Sequence, residues 1–203
     1  MRVAAFLLCG AACAWSEQVS LTRVSIDQPY RPLDLKQRLN AYWRGSFSLG
    51  AGFQAFAPAW IDHARMHHPE WGGGMRGYGA RIGDRYGRFL VSRTIEHATA
   101  AALGYEPRYI PCACTATLPR IGHAMKATFI TYNRNGKWVP NLPRFAGMVS
   151  APLVAPAWQP HDHHLARTTG IRIGVRFGLN MVTNAGKEFQ PELREWIPFL
   201  RRN

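Results

Sequence analysis

The run Gly77-Tyr78-Gly79-Ala80-Arg81-Ile82-Gly83-Asp84-Arg85-Tyr86-Gly87-Arg88-Phe89-Leu90 bears most directly on the fold. At about 100° per residue, Gly79, Gly83 and Gly87 share one helix face with Leu90, and Arg81, Arg85 and Arg88 fall nearly opposite. Tyr78, Ile82, Tyr86 and Phe89 fill the flank between them. A glycine inside a helix costs about 1 kcal/mol relative to alanine. Three at spacing four therefore predict a second backbone packed closely on that stripe. The pattern predicts a helix from about Gly77 to Leu103, closed by Gly104.

The device recurs near the C-terminus. Read as a helix from about Asp162 to Phe189, the segment places Gly170, Gly174 and Gly178 on a small-residue face. Ile171, Val175, Leu179 and Val182 make its apolar face, and Arg172, Arg176, Asn180 and Lys187 its polar one. The two glycine stripes are expected to pack on each other or on a second copy, unless glycine-rich composition has merely landed on a helical period. Ile171, Ile173, Val175, Phe177, Leu179 and Met181 also alternate strictly with Arg172, Gly174, Arg176, Gly178 and Asn180, which would suit a strand. A barrel needs many such segments, and Phe129–Tyr132 with Lys137–Val139 around Asn135-Gly136 makes only a short possible hairpin that Pro140 truncates. The expected class is mainly α, a bundle of about four to five helices with glycine-zipper faces. A β-containing or barrel fold is the alternative.

Proline and glycine punctuate the rest. Pro32-Leu33-Asp34 reads as a helix start, with the pattern running through Leu39, Tyr42, Trp43 and Phe47 to Pro58 and extending over Ala59–His67. Trp71-Gly72-Gly73-Gly74 reads as a linker and Pro111–Thr117 as a loop. Pro119 suits the first turn of a helix to about Tyr132, and Pro143 the start of another, weakened by Pro152 and Pro156. The first sixteen residues read as an export signal: Arg2, an apolar run from Val3 to Ala12, and Ala14-Trp15-Ser16 before Glu17. The expected organisation is a signal peptide (1–16), an N-terminal extended segment (17–32), one helical domain (33–192) and a C-terminal tail (193–203).

With 203 residues, 47% of them hydrophobic, the chain can build a core and is not a disordered polymer. Its 25 Lys+Arg against 12 Asp+Glu give a formal charge of +13, although only 18% of residues are charged. Residues 107–161 contain Arg108, Arg120, Lys126, Arg134, Lys137 and Arg144 and no acid. Such a basic chain is expected to face an anionic lipid or envelope polymer through Arg81, Arg85, Arg88, Arg108, Arg120 and Arg144. Nucleic acid is a weak partner, since no nucleic-acid-binding motif is present. Phe47–Trp60 and Phe145–Trp158 each run without a charge but fall short of the ~20 residues a spanning helix needs. Those lengths suit buried, interfacial or re-entrant segments.

Motifs that imitate chemistry fail on context. Gly72-Gly73-Gly74-Met75-Arg76-Gly77 matches G-x-G-x-x-G, but no strand precedes it. His63, His67 and Glu70, and the cluster His161-Asp162-His163-His164, lack the spacing of an established metal site. Glu96 and His97 are adjacent and point about 100° apart, so Glu96 is expected to pair with Arg93 or Arg88 instead. Cys112 and Cys114 stand too close for an ordinary loop-closing disulfide and are expected to be free or paired between chains. The sequence assigns no catalytic residue, metal or cofactor.

Trp71-Gly72, Gly77-Tyr78-Gly79 with Arg81 and Gly83, Glu106-Pro107-Arg108-Tyr109, Arg120, Asn135-Gly136-Lys137 and Phe189 with Pro191-Glu192 together resemble a group of uncharacterised exported proteins found mainly in acidobacteria. The resemblance spans roughly residues 35–192. It departs from the group's usual D-P-R-Y at Glu106, and the His161–His164 cluster is not part of the pattern. It implies a periplasmic or outer-membrane protein with closely packed helices and supplies no catalytic residue. The leading expectation is a non-enzymatic, membrane-associated envelope protein with possible homo-oligomerisation. The alternative is an exported hydrolase of lipid or wall material built around Glu96, Arg81, Arg85 and Arg108.

Overall fold

The computed structural model describes residues 32–112, 114–159 and 165–192. In chain order these form α1 (Leu35–Phe47), α2 (Leu49–Ala64), a 3-10 turn (Pro69–Trp71), α3 (Gly74–Leu103) and α4 (Thr117–Phe129). A hairpin of β1 (Ile130–Tyr132) and β2 (Trp138–Pro140) follows, then α5 (Leu142–Val154), a second 3-10 turn (Ala155–Ala157) and α6 (Leu165–Glu188). The protein is mainly α-helical. The export signal, the cluster at 161–164 and the C-terminal tail lie outside the described residues.

The barrel alternative is corrected. Every residue of the alternating run Ile171–Met181 lies inside α6, and the single described sheet is the two-stranded hairpin, with Ile130 opposite Pro140 and Tyr132 opposite Trp138. A lone alternating segment has no strand to pair with, whereas a helix satisfies its backbone internally. Pro140 is tolerated because it closes the strand.

Local chemistry sets the breaks. Ser48 leaves the helical conformation and its Oγ accepts the Ala51 N–H at 3.1 Å. The helix expected from Pro32 onward is thus two helices joined at an N-cap. Gly104 ends α3 in the left-handed region (φ 69°), where Tyr105 N–H reaches the Ala100 carbonyl at 2.8 Å. Arg38 of α1 donates to the Ala100 and Tyr105 carbonyls at 3.3 and 2.8 Å, satisfying the end of α3 from outside. Asn141 caps α5 by accepting the Arg144 N–H.

The long helix α3 lies against α5, α2 and α1, and α6 lies against α4 and α5. Prolines aside, the buried apolar side chains among the described residues are Ala51, Ala55, Ala59, Ala100, Ala124, Ala151, Ala155 and Met148. Larger side chains sit at the edges. Phe177 of α6 stacks on Phe129 with centroids 5.7 Å apart and meets Phe145 at 5.3 Å.

The glycine-zipper expectation needs correction at the residue level. A Cβ built on Gly79, Gly83, Gly170, Gly174 or Gly178 would meet nothing within 4 Å, and one on Gly87 would only graze Trp158 at 3.8 Å. Neither stripe packs on another backbone among the described residues. The close approaches occur elsewhere: a Cβ on Gly147 would fall 2.6 Å from the Ser92 carbonyl oxygen, and one on Gly77 would fall 2.8 Å from that of Trp71. Around them run buried small-residue rows at spacing four, Ala51/Ala55/Ala59 on α2 and Gly147/Ala151/Ala155 from α5 into the following turn. These rows occupy the two charge-free segments.

A longer internal echo accompanies this. Gly79-Ala80-Arg81-Ile82-Gly83-Asp84-Arg85-Tyr86-Gly87 of α3 matches Gly170-Ile171-Arg172-Ile173-Gly174-Val175-Arg176-Phe177-Gly178 of α6 as G-x-R-I-G-x-R-aromatic-G. Ala57-Pro58-Ala59-Trp60 in α2 likewise matches Ala155-Pro156-Ala157-Trp158 after α5. The pairs α2–α3 and α5–α6 use the same elements.

Candidate functional site

The charged residues singled out in the sequence point inward. Arg81 is 1% exposed, and its hydrogen bonds among the described residues go to carbonyls and a histidine. Its guanidinium donates to the carbonyls of His67 (2.9 Å), His68 (3.0 Å) and Gly72 (3.0 Å), with His63 Nδ1 at 3.3 Å and the Trp71 ring below. It locks the α2–α3 connection, and Gly77 leaves room for that connection to cross. Arg85 forms a two-point pair with Asp62 at 2.6 and 2.8 Å. Burial opposes ionisation of Asp62, but the hydrogen bond and charge of Arg85 outweigh it and hold the carboxyl below its ordinary range. Arg88 pairs with buried Asp84, which also takes Trp158 Nε1 at 3.0 Å and Gln159 Nε2 at 2.6 Å, tying α3 to the end of the α5 segment.

A second network carries the E-P-R-Y motif. Glu106 is 1% exposed and accepts Arg108 Nε at 2.8 Å, while its backbone bonds Tyr132 and Thr131 of β1. The Tyr109 hydroxyl donates to Glu188, and burial together with that carboxylate raises the phenol far above its ordinary range. Arg120 reaches Glu188 and Glu192 and lies over the Phe189 ring at 4.4 Å. Residues scattered over the sequence thus join one clamp between the hairpin and the end of α6.

The third network lies where α3 crosses α5 and approaches α6. Glu96 accepts Arg144 Nε at 3.2 Å, with Arg93 at 3.9 Å. Arg144 also donates to Asn180, and Arg176 donates to Ser92, whose hydroxyl reaches the Gly147 carbonyl at 2.6 Å. Burial opposes the charge on Glu96, but Arg144 and Arg93 keep its carboxyl below the ordinary range. Burial, helped by Arg93, pushes His97 down to about 4. Burial, helped by Arg144 and Arg93, pushes Lys187 down to about 8. Glu96 takes Arg93 as expected from sequence, whereas Arg88 turns to Asp84.

Each of the six arginines expected to face an anionic surface, Arg81, Arg85, Arg88, Arg108, Arg120 and Arg144, is engaged by groups of its own chain. Among the described residues the exposed Lys and Arg are Lys36, Arg44, Arg65, Arg76, Lys126, Arg134 and Lys137, against exposed Asp34, Glu70 and Glu192. Glu96, Arg81, Arg85 and Arg108 are not brought together: Arg81 and Arg85 hold the α2–α3 junction, Glu96 the α3–α5 crossing and Arg108 the hairpin. Among the described residues no three His, Cys, Asp or Glu side chains are grouped to hold a metal. A cleft of about 10 Å³ beside Tyr109, His123, Tyr132, Trp138 and Arg144 has room for about one water.

Large apolar side chains take the outside. Leu35, Leu39, Trp43 and Phe47 line α1, with Trp43 62% exposed. Phe56 and Trp60 follow on α2, and Leu118, Ile121, Met125 and Phe129 on α4. On α6, Ile171, Val175, Leu179 and Val182 all face outward, Leu179 at 61% exposure. Comparison of the chain with protein-family models, curated proteins and solved structures returns no match. The sequence reading missed Asp62, Asp84 and Glu188 as charge partners. The only signal available was that so few acids must serve so many arginines.

Proposed function

We propose that the chain is an exported bacterial cell-envelope protein that lies at an anionic membrane surface, held by its outward apolar faces and exposed cations, with a binding or structural role. The observation that best supports the reading is the inversion of α6, which turns Ile171, Val175, Leu179 and Val182 outward and Asn180, Asn184 and Glu188 inward. In water an amphipathic helix turns its apolar stripe to the core. Lipid reverses that preference and favours small residues where helices meet. No described helix is long and apolar enough to cross a membrane, so on this reading the helices lie in the interface, with exposed Trp43, Trp60, Trp138 and Trp158 at headgroup level.

The test is co-sedimentation of the chain from Glu17 onward with neutral and anionic vesicles across a salt series. Anionic vesicles should carry down more protein, salt should weaken but not abolish binding, and Val175→Ser with Leu179→Ser should lower residual binding roughly a hundredfold, since each buried side chain contributes about 1.5 kcal/mol or more. A monodisperse protein indifferent to both vesicle types would overturn the reading. If that species were a dimer, the outward faces would belong to self-association.

A further inference from the structure

Cys112 and Cys114 are the only cysteines among the described residues, and the structure pairs their sulfurs within the chain, with Cα atoms 5.2 Å apart. This corrects the expectation of free or interchain thiols. A bond between positions two apart removes little entropy from the unfolded chain, and the loop is already held without it. The Cys112 N–H donates to the Glu188 carboxylate at 2.9 and 3.2 Å, Tyr109 grips the same carboxylate, and His123 Nε2 meets the Ile110 carbonyl at 3.0 Å. Both cysteines are partly exposed, so a thiol can reach them. The Cys114 N–H is directed at Cys112 Sγ at 3.2 Å, a hydrogen bond that favours negative charge on that sulfur. The neighbouring Glu188 shares Arg120, at 3.4 Å, with Glu192, and residues 107–161 contain no acid.

We propose that Cys112 and Cys114 form a reversible dithiol–disulfide centre that exchanges with external thiols, Cys112 being the sulfur that leaves and returns as thiolate. An external thiolate attacks Cys114 Sγ, the Cys112–Cys114 bond breaks, and the electron pair departs with Cys112. A second external thiolate then attacks the external sulfur of the mixed disulfide and releases the Cys114 thiolate. Two external thiols become one disulfide, two electrons pass to the chain, and both cysteines take up the protons the thiols gave up. In reverse, the reduced pair reduces an external disulfide. The inference does not rest on membrane binding.

The test equilibrates the chain with reduced and oxidised glutathione in graded ratios, traps thiols with a maleimide and counts them by mass. Both thiols should appear together in one two-electron transition with helical circular dichroism retained. Cys114→Ser, which keeps the N–H directed at Cys112, should be alkylated at neutral pH on the order of tenfold faster than Cys112→Ser, the change in thiolate fraction that one pKa unit brings. Brief alkylation of the reduced wild-type chain, mapped by peptide mass, should label Cys112 first and does not depend on either variant folding. Thiols that stay free in oxidised glutathione, or a bond that survives excess dithiothreitol in the folded chain, would overturn the centre. Equal labelling of the two positions would overturn the role given to Cys112.

Discussion

A guanidinium held by backbone carbonyls sits at the junction of α2 and α3. Arg81 satisfies three backbone carbonyls of a connection that turns through two left-handed non-glycine residues, Met66 and His68. Removing the donor leaves three part-buried acceptors without it, which costs more than losing one part-exposed ion pair. Arg81→Met should therefore destabilise the chain by about 3 kcal/mol, on the order of 10 °C in Tm, while Arg85→Gln should cost about 1 kcal/mol. Thermal denaturation of the two variants decides this, and equal losses would contradict the assignment. His97 sets a pH dependence of known sign. Its folded pKa lies at about 4 against an ordinary 6.5, so the unfolded chain binds the proton more tightly. The contribution is present above 6.5 and is lost as pH falls towards 4, amounting to about 3 kcal/mol. Urea denaturation between pH 7 and 4 should show this slope, and His97→Gln should flatten it.

Among the elements, the α3–α5 crossing leaves no space at Gly147, where the Ser92 carbonyl and Glu96 Cβ would both collide with a side chain. Gly83, on the glycine stripe of α3, meets nothing within 4 Å among the described residues. Gly147→Leu should accordingly cost at least 3 kcal/mol or prevent folding, whereas Gly83→Leu should be neutral or mildly stabilising because leucine is the better helix former. Comparing the two Tm values tests the packing directly. A large loss at Gly83 would mean that its face is covered in solution by something other than the described residues.

For the whole molecule, the balance of forces is unusual. An interior of alanine, proline and one methionine buries little apolar area per residue, so the hydrophobic contribution of about 25 cal/mol per Å² is small and hydrogen-bonded charge networks carry much of the specificity. The large apolar surface left outside gains only when something covers it. A surface that binds the folded state stabilises it by mass action. Anionic vesicles in excess should therefore raise Tm by several degrees or more at low salt, followed by near-UV circular dichroism, and a Tm unchanged by vesicles would argue that the outward faces remain wet.

Much of the helix layout was legible in the sequence because its causes are local. Gly104 closes α3 where a left-handed residue was expected, Asn135-Gly136 turns the chain between β1 and β2, and Pro143 sits in the first turn of α5. The angular relation between the glycine and arginine faces of α3 also held. What periodicity cannot supply is which face points inward, because it fixes the angle between residues and not the direction of the neighbouring helix. Both long helices turned out inverted, with Arg81 and Asn184 inside and Gly83 and Val182 outside. Only the tertiary structure decided that: Asp84 and Glu106 serve Arg88 and Arg108 locally, but Asp62, Glu188 and Glu96 reach Arg85, Arg120 and Arg144 from other segments. A buried guanidinium is tolerable only where those distant carboxylates or carbonyls converge on it.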